Sequence, residues 1–542
     1  MTTLTGTRRL VRLALRRDRV VLPVWIVGLT GLLAAVVTSV LGLYASDRER
    51  SEAATFAAND TVTRAFNGPV AGSDPGSLVM SEAFVFVGVL VALMCAQAVV
   101  RHTRTEEETG RAELIGAGVV GRHARLTAAL AVAFGAALLV GAAAGVVLTA
   151  SGLPTRGSLL AGAAYAGVGV VFGGVAAVTA QVAEQARAAN AWAGGVLGLA
   201  FLVRAIGDAA GHVASSGDAV VSAWPSWVSP LGWGQQVRPF AAGHLGPFAL
   251  TVAAAALLAG IAYVLTDHRD VGQGMRSVRP GPARADTGLL RPLGLAWRQQ
   301  RGVLLGWLVA MAILGAAFGA VGESTEDISE MSEQFAALLE QFGGGSLVDG
   351  YFAFLMRLVA ILTAGYTVQA LLRLRSEEAA GRLEPLLATA VARPRWLLAQ
   401  VVLAAAGTAA VLLLAGAAAG VAYGLATGDL AGGVGGPLSA AAVQVPAALA
   451  LGGGVVLVFG LQPRWTAPVA WGGLAFAFVV GQFGGVLDLP QAVINLSPFV
   501  HPPLLPAADL DVTPVVVLLL VAVALAAVGV AAFRRRDLVT AA

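Results

Sequence analysis

The chain has 542 residues, of which 57% are hydrophobic and 12% charged, with a formal net charge of +3 and a mean hydropathy of +0.77. All 35 basic residues are arginine. With no lysine there is no phosphate loop of the G-x-x-x-x-G-K-[ST] type and no Schiff base, so the chain alone is not a conventional ATPase. Cys95 is the single cysteine and the six histidines form no H-E-x-x-H cluster, which excludes an intrachain disulfide and gives no sign of a metal site.

What remains is a series of apolar runs of the length that a hydrocarbon core of ~30 Å requires of a helix. The fold expected is an all-α polytopic membrane protein of about twelve spans. Abundant Ala, Gly, Val and Arg without lysine is the composition of a GC-rich bacterial genome. Leu4 to Arg19 carries six arginines among leucines and valines and reads as a basic amphipathic helix in the interface. The run Val20–Tyr44 is longer than a signal-peptide core and reads as the first span. A polar segment, Ala45–Ser77, leads to a second span at Leu78–Val100. A charged element follows, ending near Arg125. Further spans are expected at Leu126–Ala150, Ser158–Val182 and Ala191–Leu202. Arg204 to Gly246 holds Trp224, Trp227 and Trp233 with Pro225, Pro230 and Pro239, and tryptophan at this density predicts short interfacial or re-entrant helices. The sixth span is Pro247–Thr266.

A turn-rich stretch, Asp267 to Arg301, with Gly272, Gly274, Pro280, Gly281 and Pro282, is the seam between halves. Spans then recur at Val303–Val321, Gly350–Leu372, Leu397–Tyr423, Pro437–Leu461, Thr466–Leu487 and Thr513–Phe533. The division expected is a six-span repeat over 1–270, a linker over 271–290 and a second repeat over 291–542. Matching anchors keep their order. Leu138-Leu139-Val140-Gly141-Ala142-Ala143-Ala144-Gly145 parallels Leu413-Leu414-Ala415-Gly416-Ala417-Ala418-Ala419-Gly420, Ser229-Pro230 parallels Ser497-Pro498, and Arg269-Asp270-Val271 parallels Arg536-Asp537-Leu538. An even number of spans per repeat makes the repeats parallel. Roughly 28 of the 35 arginines fall on the side of the termini and linker, which is therefore the cytoplasmic side. The acidic run Glu323, Glu326, Asp327, Glu330 and Glu333 falls on the other side. Gly141/Gly145, Gly169/Gly173 and Gly416/Gly420 have the spacing of close helix packing.

The charged element is the most specific signal. Arg104-Thr105-Glu106-Glu107-Glu108-Thr109-Gly110-Arg111-Ala112-Glu113 returns about 270 residues later as Arg375-Ser376-Glu377-Glu378-Ala379-Ala380-Gly381-Arg382-Leu383-Glu384. Taken as helices, the copies predict i,i+4 bridges Glu107–Arg111 and Glu378–Arg382. They also predict carboxylate faces from Glu106 with Glu113 and Glu377 with Glu384. A solvated loop would satisfy either copy alone. Two copies in one detailed pattern favour a docking surface for a cytoplasmic partner. Arg357, near Asp349, and Glu82 are ionisable groups at the ends of spans, where either substrate contact or structural pairing fits.

The second copy, continued by Leu383-Glu384-Pro385-Leu386-Leu387-Ala388-Thr389-Ala390-Val391-Ala392-Arg393, resembles the loop after the second span in ABC-2 type permeases. The fused twelve-span plan, with Trp227-Val228-Ser229-Pro230-Leu231-Gly232-Trp233, resembles actinobacterial permeases described as exporters of polyketide antibiotics. The resemblance implies a coupling helix that docks on a separate ABC ATPase, two copies of it. ATP and Mg would be used by that ATPase, with no cofactor on this chain. It also implies a bacterial plasma-membrane location, cytoplasmic termini, and export of hydrophobic or amphipathic compounds. The first copy departs from the pattern, with Leu114-Ile115-Gly116-Ala117-Gly118 in place of Pro385-Leu386-Leu387-Ala388-Thr389. An ion-gradient transporter is the alternative, with Gln97, Gln369 and Arg357 as its polar candidates. A membrane anchor for a cytoplasmic partner is the other.

Overall fold

The structure, a computed structural model, describes residues 2–270, 272–275, 283–284, 286–322, 346–483 and 489–538. The acidic run from Glu323 to Glu333 and the end of the span expected at Thr466–Leu487 lie outside the described residues. The chain divides into two compact units, Met1–Gly281 and Pro282–Ala542.

The first unit begins with α1 (Thr7–Arg17) and α2 (Val21–Leu43). The polar segment then forms α3 (Asp47–Asn59), opened by a capping box between Ser46 and Glu49, and α4 (Thr61–Phe66). Long helices α5 (Pro75–His102), α8 (Ala124–Ala150), α9 (Thr155–Val182), α10 (Ala186–Ala209) and α12 (Gly246–Asp267) complete the bundle. Between α5 and α8 lie two short helices, α6 (Arg104–Glu108) and α7 (Arg111–Gly116). The tryptophan-rich stretch is not purely helical. A two-residue hairpin, His212–Val213 with Val220–Val221, precedes a 3-10 turn at Trp224–Val228 and α11 (Pro230–Gln236).

The second unit contains α13 (Pro292–Val321), α14 (Leu347–Ala379), the short α15 (Leu383–Leu387), α16 (Arg393–Thr427) and α17 (Leu430–Leu461). It ends with α18 (Thr466–Phe483), the single turn α19 (Gln491–Ile494) and α20 (Val512–Arg535). Among the described residues, eleven helices are long and apolar enough to cross a membrane. The remaining span expected, Thr466–Leu487, corresponds to α18, whose 18 residues reach about 27 Å. The all-α polytopic class is thus borne out.

Burial separates inner from outer helices. The most apolar window of α5 and of α9 is 72% buried, against 11% in α12 and 17% in α20. Outer helices that show so much apolar side chain require lipid around them. Close packing rests on the small residues expected. A β-carbon at Gly141 would collide with the Gly162 carbonyl oxygen, so α8 and α9 touch backbone to backbone. In the second unit a β-carbon on Gly416 would reach Ala441 at 2.6 Å, and one on Gly420 would reach Val434 at 2.6 Å.

The fifth span differs from the sequence reading. It runs over 24 residues, Ala186–Ala209, not Ala191–Leu202. Hydropathy stopped short at Arg204, yet Arg204 and Asp208 are fully buried and pair at 3.2 Å, one helical turn apart. Arg204 also donates to the carbonyls of Ala65 and Phe66 at 2.6 and 3.1 Å, and Ser226 donates to Asp208 at 2.5 Å. With each charge met by partners, the helix carries both inside the fold. The span expected from Pro437 starts seven residues earlier, at Leu430, and includes Pro437 and Pro446.

Candidate coupling elements

Each charged element forms where a long helix is stopped. In the second unit, α14 ends at Ala379 and Gly381 takes a φ of +69°. The Gly381 and Arg382 amides donate back to the carbonyls of Glu378 and Glu377 at 3.0 and 3.1 Å. This is the Schellman arrangement, in which a left-handed glycine satisfies the last carbonyls of a helix. In the first unit Gly110 has a φ of +70° and its amide donates to the Glu107 carbonyl at 3.1 Å. Nothing lies within 4 Å of a β-carbon at either glycine. The backbone conformation, not crowding, is what calls for glycine.

This turn overturns the expected i,i+4 bridges. A helix would place Glu107 beside Arg111 and Glu378 beside Arg382, but the chain reverses between the members of each pair. Glu107 points inward instead. It accepts from Arg269 at 2.7 and 2.9 Å and from the fully buried Arg104 at 2.8 Å, with Arg125 at 3.7 Å. Arg104 also donates twice to the Ala180 carbonyl, at 2.7 and 3.0 Å. Glu378 likewise accepts from Arg536 at 2.6 and 2.9 Å. Arg269 and Arg536 each follow the last long helix of their unit, so both elements are bolted to the same part of the fold. A bidentate guanidinium–carboxylate pair fixes geometry as well as charge.

The continuous carboxylate faces expected of Glu106 with Glu113 and Glu377 with Glu384 are not formed either, because the glycine turn divides the members. Glu106 and Glu377 are buried, whereas Glu113 and Glu384 are exposed. Glu106 is bonded to Arg17 of α1, and Arg111 lies 3.9 Å from it. Glu377 accepts from Arg382 at 2.9 and 3.2 Å, with Arg373 at 3.5 Å. In both units the arginine and glutamate after the glycine are open to solvent: Arg111 and Glu113, Arg382 and Glu384. The element is thus two-sided. Its two glutamates face the bundle, and the arginine and glutamate after the glycine face out.

Three further contacts belong to the site and were not foreseen. Asp18, the one acid among the N-terminal arginines, is buried between α1 and α2 and meets Arg101 and His102 at 2.7 Å each. Burial opposes its charge, but these two partners outweigh it and hold the carboxyl below its ordinary range. Glu108 accepts from the Ala186 amide at 2.6 Å and so caps α10. Arg122 and His123 meet the end of α12, with His123 at 2.8 Å from Asp267. Composition marks none of these, although a lone acid in a basic segment was a usable signal for Asp18. Arg357 is half-buried on α14, two turns past Asp349, and Glu82 accepts from Asn67 at 2.9 Å near the start of α5. Neither belongs to the charged elements.

Comparison with known proteins identifies the family. A family described as "Multidrug efflux system permease Rv1217c, C-terminal domain" matches residues 8–265 and 289–534. The multidrug efflux system permease protein Rv1217c of Mycobacterium tuberculosis (strain ATCC 25618 / H37Rv) is 41% identical over 535 residues, covering 98% of this chain and 95% of that protein. With a match of this extent on both counts, the chain belongs to the Rv1217c-type family of multidrug efflux system permeases.

Proposed function

We propose that the chain is the permease of an ATP-driven exporter of the ABC-2 type, moving hydrophobic or amphipathic compounds, drugs or polyketide antibiotics among them, out of the cell. The halves act as two six-span repeats, each giving one charged element to the cytoplasmic face, and an ABC ATPase docks on each element. ATP and Mg stay with the ATPase.

The observation that carries this reading is the shared two-sided build of the elements. Arg111 and Glu113, like Arg382 and Glu384, offer a cation and an anion to a partner, while Glu107 and Glu378 transmit any displacement inward. In the first unit the lock reaches three places. Glu107 holds Arg269 behind α12, Glu106 holds Arg17 of α1, and Glu108 caps α10. A push on α7 therefore moves several helices as one body, which is what coupling requires. The name of the Mycobacterium tuberculosis relative supports drug efflux as the work served.

Cysteine cross-linking tests the docking. Glu384→Cys and Glu113→Cys, in a Cys95→Ala background, should each form a disulfide or short bifunctional adduct with a co-expressed partner ABC ATPase. A cysteine on an exposed site of another surface, Ser215→Cys, should not. Adducts that fail at both elements, with the complex otherwise intact, would remove the coupling role.

A further inference from the structure

One seam of the second unit holds a cavity of about 560 Å³ between α17, α20 and the residues leading into α20. Small-molecule pockets are of this size. Its wall is apolar, with Leu451 of α17 and Val517, Leu518 and Leu525 of α20. Its mouth carries Asn495, His501, Asp511 and Thr513. The mouth is at the start of α20, whereas Arg536 at the other end meets Glu378. The 24 residues of α20 span about 36 Å. The cavity therefore opens at the membrane face opposite the second charged element.

The charged chemistry at the mouth accepts hydrogen bonds. Asp511 takes the Thr513 amide on one oxygen at 2.9 Å, and an ionised carboxylate has further lone pairs to offer. Nε2 of His501 lies 2.9 Å from the Asn495 carbonyl oxygen. A carbonyl only accepts, so Nε2 carries the hydrogen, and in the Nε2–H tautomer Nδ1 is an acceptor. Among the described residues, no arginine lines the cavity. Below the mouth, α20 descends about 21 Å from Asp511 to Leu525 along an apolar wall, which suits a long chain better than a compact ring.

We propose that this cavity binds an amphiphile with a protonated amine head and a long apolar chain. The head donates to Asp511 and His501, and the chain lies in the seam between α17 and α20. A primary amine carries the N–H donors both acceptors need, a quaternary ammonium carries none, and an anionic head meets the Asp511 carboxylate. This site is independent of the transport reading. Two sources share the chemistry, a bilayer lipid with an ethanolamine head and a free alkylamine.

The test uses the full chain in phosphatidylcholine nanodiscs and a dodecylamine with a photoreactive diazirine in its tail. Labelled peptides should fall on α17 near Leu451 and on α20 between Val517 and Leu525. Unlabelled dodecylamine should displace the probe, and dodecyltrimethylammonium and dodecyl sulfate should not. Asp511→Asn removes the charge but keeps a good helix cap, and should weaken competition by roughly tenfold, the factor that one charge-assisted bond supplies. Asp429→Asn is the control. Asp429 caps α17 through the Gly432 amide at 3.0 Å and does not line this cavity, so its affinity should be unchanged. Displacement by phosphatidylethanolamine added to the disc assigns the site to a bilayer lipid, and displacement by dodecylamine alone assigns it to a free amine. Labelling elsewhere, equal competition by dodecyl sulfate, or an unchanged affinity in Asp511→Asn would overturn the proposal.

Discussion

Replacing Glu378 with glutamine tests whether the inward face of the element is a structural lock. The Glu378 side chain is 0% exposed and that of Arg536 15%. Removing one member of a buried pair typically costs about 3–5 kcal/mol, because the other charge is left unmatched. Arg536 keeps some compensation here. It still donates to the Phe459 carbonyl at 3.3 Å, and its guanidinium carbon lies 5.1 Å from the rings of both Phe459 and Phe533. Glutamine also retains one acceptor. Glu378→Gln should therefore lie at or below that range, about 2–3 kcal/mol. Arg536→Gln removes the carboxylate's bidentate partner instead and should cost about 3 kcal/mol. The double substitution should be less damaging than the sum by about 1–2 kcal/mol, the signature of a direct pair. Equilibrium unfolding in mixed micelles gives all four corners of the cycle. Glu384→Gln, on the exposed side, should stay within about 0.5 kcal/mol of wild type. A cost below about 0.5 kcal/mol for Glu378→Gln, or strict additivity in the cycle, would refute the lock.

Arg382→Glu should weaken ATPase binding more than Arg111→Glu, since Arg382 makes two bonds to Glu377 whereas Arg111 stands 3.9 Å from Glu106; pull-down of the ATPase by each variant decides it, and equal losses would contradict it. Asp18→Asn should cost about 1–3 kcal/mol at neutral pH. The Asp18 carboxyl is held below its ordinary value in the folded chain, so its contribution is whole above about pH 3.9 and is lost as pH falls through the folded value. The wild-type advantage over Asp18→Asn in unfolding experiments should therefore vanish in acid, and an advantage that grew in acid would be the wrong sign. Thr287→Cys and Ser215→Cys, in a Cys95→Ala background, should label from opposite sides of the membrane, Ser215→Cys from outside intact cells; labelling of Thr287→Cys from outside would invert the topology.

The spans were readable because a bilayer imposes a length and a polarity that few other structures satisfy. Several places where the reading failed share one physical cause. Arg204, Glu106, Glu107 and Glu378 are charges that the fold buries, and a local sequence pattern does not reveal a partner supplied from far along the chain. Glu107 is 162 residues from Arg269, and Glu378 is 158 from Arg536. The recurrence of Arg269-Asp270 and Arg536-Asp537 was visible as a pattern, but its meaning was not. The helical assumption behind Glu107–Arg111 and Glu378–Arg382 failed at Gly110 and Gly381, the two residues best suited to stopping a helix. Their alignment in both copies already pointed to a turn.

In the proposed function, ATP hydrolysed by a separate subunit drives transport through this chain. Drug uptake into inverted vesicles holding the chain and a co-expressed ABC ATPase measures it directly. Uptake should occur only with both proteins and ATP, the purified chain alone should hydrolyse no ATP, and uptake should be lost when Arg382 and Arg111 are both reversed to glutamate. Uptake by the chain alone under a proton or sodium gradient, unaffected by those reversals, would contradict it.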